Sequence, residues 1–168
     1  PNYLNCPNYL NFQRRKTMNL AVVGTGYVGL VTAACFAEMG NEVCCIDINP
    51  EIIENLRNGR IHIHEPGLEP LVARNTEEGR LTFTTDLEEG IASALFIFNC
   101  VGTPPRADGS CDLSYVRSVG ESIGAILNEY KIIINKSTVP VGTADELQTI
   151  IQVRLDERGA RVEFDVVS

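Results

Sequence analysis

Short apolar runs alternate along this chain with longer segments of mixed polarity. Each run has the length of a strand rather than of a helix. The run at 131–135 holds three successive isoleucines, as expected for a strand that is covered on both faces. We therefore predict six strands, at residues 20–23, 43–46, 81–84, 94–101, 131–135 and 162–167.

The segments between the first three predicted strands have helical spacing. A helix is expected over residues 30–40, directly after a glycine-rich turn. A second helix is expected to begin at Pro50, with Asn49 as its N-cap. Residues 62–70 read as irregular, and we expect only a short helix after them, reaching about Arg74.

Two more helices are predicted in the second half of the chain. Asp112 is expected to cap the first of them. Its apolar residues fall on one face and are Val116, Val119, Ile123, Ile126 and Leu127. The last helix follows a Thr-x-x-Glu pattern at residues 143–146, which predicts a capping box.

Strands that alternate with helices indicate an α/β protein. We predict a Rossmann-type, doubly wound, parallel six-stranded sheet in the order 3-2-1-4-5-6. Such a sheet binds its ligand beyond the carboxyl ends of the strands, where the order reverses between strands 1 and 4. Residues 18–168 are expected to form this single domain.

The turn after the first strand has the pattern Gly-x-Gly-x-x-Gly. Gly24 permits a tight turn, Gly26 lets a pyrophosphate approach the backbone, and Gly29 lets the next helix pack closely. The helix N-terminus directs N–H groups and partial positive charge towards phosphate. The residues predicted to bind a dinucleotide here are Gly24, Thr25, Gly26, Tyr27, Val28 and Gly29.

An isolated glycine turn is common in proteins, but here an acid ends the next strand. Asp47 follows Gly29 by 18 residues, near the spacing at which a carboxylate binds a ribose hydroxyl. That carboxylate would repel the 2′-phosphate of NADP, and residues 48–50 include no arginine to receive the phosphate. The sequence therefore predicts NAD as the cofactor.

Two further loops follow strands at the same edge of the predicted sheet. Their residues are Val101, Gly102, Thr103 and Pro104 after the fourth strand, and Ser137 and Thr138 after the fifth. Each loop by itself is ordinary turn chemistry. Their shared location predicts that both line the cofactor site.

Charge limits the choice of partners. The chain has 14 basic and 22 acidic residues, for a net charge of −8, and residues 18–168 alone stand at −11. We expect so acidic a body to bind neither nucleic acid nor an anionic membrane. No apolar run approaches the length of a membrane span. His62 and His64 lack a third ligand at metal spacing, so no metal site is predicted.

The six cysteines include no Cys-x-x-Cys pair. Cys44 and Cys45 are adjacent on a strand and therefore face opposite sides of the sheet. Together with Cys35, they lie in apolar patterns and are expected to be buried, as is usual in a reducing cytoplasm. Cys100 ends the fourth strand, near the predicted site. A cytoplasmic protein is the expectation.

The first 17 residues look foreign to the domain. The stretch at residues 1–5 recurs at 7–11, and neither copy has a helical or strand period. The basic residues follow the apolar ones, the reverse of a secretory signal. We expect a disordered leader, vector-derived or translated upstream of a natural start at Met18. A short partner-binding arm is the alternative.

Four motifs resemble, in the same order, those of the nucleotide-sugar dehydrogenases that act on UDP-glucose or GDP-mannose. They lie at residues 24–30, 65–68, 101–105 and 137–143. The resemblance covers residues 18–168. Within the family, residues 108–115 look more like enzymes of UDP-glucose than like enzymes of GDP-mannose.

The resemblance implies a reaction and roles for residues. The family oxidises the sugar C6 alcohol to a carboxylate with two NAD and one water, which here would convert UDP-glucose to UDP-glucuronate in a homodimer. The glycine turn and Asp47 would hold the adenosine half of NAD. Thr103, Ser137 and Thr138 would line the path to the nicotinamide, and Thr138 would also help to position the catalytic water.

This chain departs from the family pattern in two respects. Ile52 stands where the family commonly has a basic residue that contacts the adenosine side. None of the six cysteines lies in the family's nucleophile motif, which is expected beyond Ser168. The 168-residue chain alone is therefore expected to be inactive.

Other functions stay open. A dehydrogenase of GDP-mannose or UDP-N-acetylmannosamine is the alternative within the same class. A stand-alone NAD-binding module without catalysis is the alternative from another class. A methyltransferase also binds a nucleoside, but its ligand has no pyrophosphate for the glycine turn to hold.

Overall fold

The centre of the molecule is one parallel sheet of six strands. In this computed structural model, which describes residues 17–168, the strand order is β3-β2-β1-β4-β5-β6. The order and the parallel pairing are those predicted. The leader expected at residues 1–17 lies, except for its last residue, outside the described residues.

The strands are β1 (Asn19–Val23), β2 (Glu42–Ile46), β3 (Leu81–Thr84), β4 (Phe96–Asn99), β5 (Lys131–Asn135) and β6 (Phe164–Val167). The fourth is shorter than the predicted 94–101 because its neighbours limit its ladder. Phe96 pairs with Leu20 of β1 and with Ile132 of β5, and Asn99 pairs with Val23, the last residue of β1. Beyond these pairs, Leu95 and Cys100 are joined to β1 only by single backbone hydrogen bonds, from their N–H groups to the carbonyls of Asn19 and Val23.

The helices are α1 (Tyr27–Glu38), α2 (Pro50–Arg57), α3 (Leu68–Glu77), α4 (Leu87–Ile91), α5 (Ser114–Ile126) and α6 (Thr143–Glu157). Two of them start earlier than predicted. Helix α1 begins within the glycine turn, at Tyr27. Helix α3 begins inside the stretch predicted to be irregular, because Gly67 caps it with a φ of 84° and Pro70 falls in its first turn. A proline is tolerated there, since first-turn N–H groups have no partner within the helix.

Helix α4 was not predicted. It has only five residues and no room for a helical period. Asp86 holds its start, because Asp86 Oδ1 accepts hydrogen bonds from the N–H groups of Glu88 and Glu89 at 2.9 and 3.2 Å. The sequence signal for this helix is the capping residue Asp86, and not an apolar spacing.

Of the two single-residue N-caps predicted, for α2 and α5, one is confirmed and one is wrong. Asn49 caps α2 as expected, and its Oδ1 accepts from the N–H of Glu51 at 2.9 Å. Asp112 is not the N-cap of α5: Leu113 takes that position, although Asp112 Oδ1 accepts from the N–H of Ser114 at 2.9 Å. The prediction therefore placed the N-cap of α5 one residue too early.

The capping box predicted at residues 143–146 was wrong. Gly142 is the N-cap of α6, with a φ of 92° that favours glycine. Thr143 is already the first helical residue, and its hydroxyl donates to the carbonyl of Pro140 at 2.8 Å. That hydroxyl therefore secures the loop before the helix rather than the helix start.

Two apolar layers cover the two faces of the sheet. Helices α1, α2 and α3 pack on one face, and α4, α5 and α6 pack on the other. Cys45 belongs to the first layer and Cys44 to the second, as their alternation predicted. The predicted face of α5 is buried or packs against the second layer.

The burial predicted for Cys35 was wrong. Cys35 is exposed, because the inward face of α1 is formed by Leu30, Ala33, Ala34 and Ala37. In a helix that is apolar on all sides, composition alone does not mark the outward positions. Cys44 is only partly buried. Among residues 17–168, no helix has both the length and the apolarity needed to cross a membrane.

Candidate functional site

The glycine turn joins β1 to α1 at the carboxyl edge of the sheet. Gly24 has a φ of 93°, and a Cβ on it would lie 3.0 Å from backbone atoms of Cys100. A Cβ on Gly29 would lie 1.8 Å from the carbonyl oxygen of Gly24. The tight turn and the close packing predicted for these two glycines are confirmed.

The start of α1 is open to a ligand. No protein atom lies within 4 Å of the place where a Cβ on Gly26 would stand. Gly26 is the N-cap of α1 and has no side chain to accept from the helix N–H groups, and the first turn contains no acidic residue. The positive end of this helix is therefore left for a ligand to neutralise.

Asp47 directly follows β2 and lies beside the turn. One of its carboxylate oxygens, Oδ2, accepts from both the N–H and the hydroxyl of Thr25, at 2.9 and 2.7 Å. The other, Oδ1, accepts from the N–H of Asn49 at 3.0 Å. The acid predicted to bind ribose is thus also joined to the glycine turn.

The loops after β4 and β5 are joined by side-chain hydrogen bonds. The Thr103 hydroxyl donates to the carbonyl of Thr138 at 2.9 Å, and the Ser137 hydroxyl donates to the carbonyl of Val101 at 2.7 Å. Both hydroxyl protons are therefore committed to the protein. Thr138 is exposed, and its own hydroxyl has no hydrogen-bond partner within residues 17–168. Of the three, Thr138 is the hydroxyl that is free to face a ligand or a water.

One cleft runs along this edge and is lined by all but two of the predicted site residues. The two exceptions are Gly29, which is buried beneath the turn, and Pro104. Cys100 also lines the cleft, as its expected position near the site suggested. Ile48, Tyr115 and Lys136 complete it, and the sequence reasoning had not assigned them.

Sequence signals for these three residues existed. Ile48 and Lys136 each adjoin a predicted site residue. Tyr115 lies in the first turn of α5, and a helix that follows β4 begins at the same sheet edge.

Lys136 is the one cation in the cleft lining, and within the described part of the chain it forms no ion pair. A lone ammonium in a domain of charge −11 favours an anionic ligand.

A smaller cavity of about 230 Å³ adjoins the cleft and shares Gly24, Asp47 and Ile48 with it. Leu87 of α4 and Val119 of α5 supply apolar walls. The combined shape is a groove with a polar, glycine-lined centre and an apolar end. The apolar end was not predicted, because Leu87 lies on α4, a helix too short to show an apolar spacing in the sequence.

Cys100 is poorly suited to act as a nucleophile. Burial raises the pKa of the Cys100 thiol to about 11, while the Lys136 ammonium acts in the opposite direction. A thiol with so high a pKa is almost wholly protonated at neutral pH, and the thiolate is the reactive form. Residues 17–168 contain no group of three or more side chains that could hold a metal ion.

A family model with the description "UDP-glucose/GDP-mannose dehydrogenase family, NAD binding domain" matches residues 18–168. The chain belongs to this family. The matched family domain binds NAD, in agreement with the glycine turn and Asp47.

Known proteins similar to this chain include members with different named substrates. A UDP-glucose 6-dehydrogenase of Pseudomonas aeruginosa is 51% identical over 151 residues, which are 90% of this chain and 33% of the relative. A GDP-mannose 6-dehydrogenase of the same species is 34% identical, over 89% of this chain and 35% of the relative.

A solved structure of a UDP-glucose dehydrogenase is also similar to this chain. The UDP-glucose dehydrogenase of Pyrobaculum islandicum matches with a TM-score of 0.82 at 40% identity, over 92% of this chain and 36% of that one. This chain therefore spans about a third of the length of the family members that it matches.

Proposed function

We propose that residues 18–168 are the NAD-binding part of an enzyme that oxidises UDP-glucose to UDP-glucuronate with two NAD. The observation that supports this most directly is the groove lined by the glycine turn and Asp47, within a chain that belongs to a dehydrogenase family. The proposal extends to a cytoplasmic enzyme that works as a homodimer. The leader at residues 1–17 has no part in it.

In this proposal each region of the groove receives one part of NAD. The pyrophosphate lies at Gly26 and the start of α1, where no side chain intervenes. Asp47 binds the adenosine ribose, and the adenine enters the apolar cavity between Leu87 and Val119. The nicotinamide extends towards Thr138, whose free hydroxyl is suited to position a water.

The cofactor assignment is tested by calorimetric titration of this chain with NAD and with NADP. We expect NAD to bind more tightly, because the Asp47 carboxylate repels a 2′-phosphate. Asp47→Asn removes that charge and is expected to narrow the difference between the two dissociation constants. Equal binding of both cofactors by the unaltered chain would overturn the role of Asp47.

The choice of UDP-glucose rests on the difference between 51% and 34% identity to the two Pseudomonas aeruginosa relatives. The test is NADH formation at 340 nm by the product of the complete reading frame. UDP-glucose, GDP-mannose and UDP-N-acetylmannosamine are supplied in turn. Turnover with GDP-mannose alone or with UDP-N-acetylmannosamine alone would select the alternative within the family, and turnover with none of the three would favour a binding module without catalysis.

A further inference from the structure

The carboxylate of Asp47 has most of its hydrogen-bonding capacity filled by the protein. Each carboxylate oxygen has two lone pairs that can accept hydrogen bonds. Oδ2 accepts twice from Thr25, at 2.9 and 2.7 Å, and Oδ1 accepts once from the N–H of Asn49. One acceptor position remains, and it is on Oδ1.

The hydrogen bond to Asp47 also satisfies the hydroxyl of Thr25. Thr25 has no solvent exposure, so its hydroxyl cannot turn to water. Within the described part of the chain, the carboxylate is the only acceptor to which this hydroxyl donates. A buried hydroxyl without an acceptor is unfavourable, and a hydrogen bond to a charged oxygen is stronger than one between neutral groups. The pair is therefore held in one arrangement.

We propose that Thr25 is a positioning residue that fixes the side-chain rotamer of Asp47 and thereby sets the preference for NAD over NADP. This inference rests on the proposed NAD-binding function. Thr25 holds Oδ2 against the glycine turn and leaves Oδ1 to accept from one ribose hydroxyl. The same fixed rotamer keeps the negative charge where a 2′-phosphate would lie. The side chain of Thr25 acts through Asp47 and not through contact with the cofactor.

The experiment compares the unaltered chain with Thr25→Val, Thr25→Ala and Thr25→Ser. Valine and alanine remove the hydroxyl but keep the backbone N–H bond to Oδ2, and serine keeps both donors. Calorimetry gives the dissociation constants for NAD and NADP, and the ratio of the two is the readout. A general loss of structure would weaken both cofactors together and leave the ratio unchanged.

We expect the preference for NAD to fall at least fivefold in Thr25→Val and Thr25→Ala, because a released carboxylate can turn away from the phosphate. Thr25→Ser is expected to stay within twofold of the unaltered chain. An unchanged or increased ratio in the valine and alanine variants would overturn the inference, as would a serine variant that behaves like valine. If the unaltered chain bound neither cofactor, the proposed function itself would fail.

Discussion

The carbonyl oxygen of Gly24 occupies the space that a side chain on Gly29 would need. A Cβ on Gly29 would lie 1.8 Å from that oxygen, well inside van der Waals contact. We therefore expect Gly29→Ala to force the turn and α1 apart. The expected loss is about 3 kcal/mol or more in the free energy of unfolding, measured by urea denaturation.

Gly26→Ala is the matched control, because open space surrounds its Cβ position and its φ of −69° suits any residue. We expect the free energy of unfolding to change by less than about 1 kcal/mol. NAD affinity should nevertheless fall, since the new methyl group enters the proposed path of the pyrophosphate. Equal stability losses in both variants would contradict this division of roles.

The two adjacent hydroxyls after β5 should behave differently. Ser137→Ala removes the donor to the Val101 carbonyl and is expected to cost about 1 kcal/mol of stability. Thr138→Ala should change stability by less than about 0.5 kcal/mol, since that side chain is exposed and makes no hydrogen bond among the described residues. Thermal unfolding of both variants measures the difference. A larger loss of stability in Thr138→Ala than in Ser137→Ala would mean that Thr138, and not Ser137, holds the loop.

Tyr27 connects the glycine turn to the loop before α3. Its hydroxyl donates to the carbonyl of His64 at 3.2 Å and accepts from the N–H of His64 at 3.3 Å. Tyr27→Phe removes both bonds, so the His64 amide should exchange its hydrogen roughly fivefold faster or more. Hydrogen exchange followed by mass spectrometry measures this.

Tyr115→Phe serves as the control for Tyr27→Phe, because Tyr115 is similarly exposed and its hydroxyl forms no hydrogen bond within residues 17–168. We expect no change at His64 in that variant. If Tyr27→Phe also left the exchange of the His64 amide unaltered, the loop would be held by other contacts.

Alkylation with iodoacetamide should distinguish the cysteines. The pKa of Cys100 rises from its ordinary 9.0 to about 11 through burial, so its thiolate fraction at pH 8 is about 100-fold lower than that of an unperturbed thiol. Among the cysteines of residues 17–168, we expect exposed Cys35 to react first and Cys100 to react only as the pH approaches 11. Peptide mapping identifies the modified residue. Rapid modification of Cys100 at pH 8 would show that its thiol is reactive and would make Cys100 a candidate nucleophile again.

Deletion of residues 1–17 is expected to leave the melting temperature nearly unchanged. The sequence of this segment has no periodic apolar face that could pack on the domain. Differential scanning calorimetry of the chain with and without these residues is the measurement. A fall of several degrees would mean that the segment packs on the domain and would favour the alternative of a functional arm.

The strand order, the position of the glycine turn and the acid that follows β2 could all be predicted from the amino-acid sequence. These features depend on local information. Apolar spacing identifies strands and helices, Gly24 and Gly29 meet steric demands within one turn, and alternating strands and helices leave few topologies. Asn49 was recognised as a cap for the same reason, because it acts on residues two and three places along the chain.

Which groups meet across the edge of the sheet could not be predicted, because those contacts join residues that are distant in the chain. The bond from Thr25 to Asp47 spans 22 residues, and that from Ser137 to Val101 spans 36. These pairs form because parallel register brings the ends of β1, β2, β4 and β5 to one edge, and register depends on the whole sheet. The same packing buried Thr25, exposed Cys35 and brought Lys136 into the cleft. The sequence therefore specified the residues of the groove proposed to bind NAD, and the packing of the sheet fixed which of their side chains are open to the groove and which bond to one another.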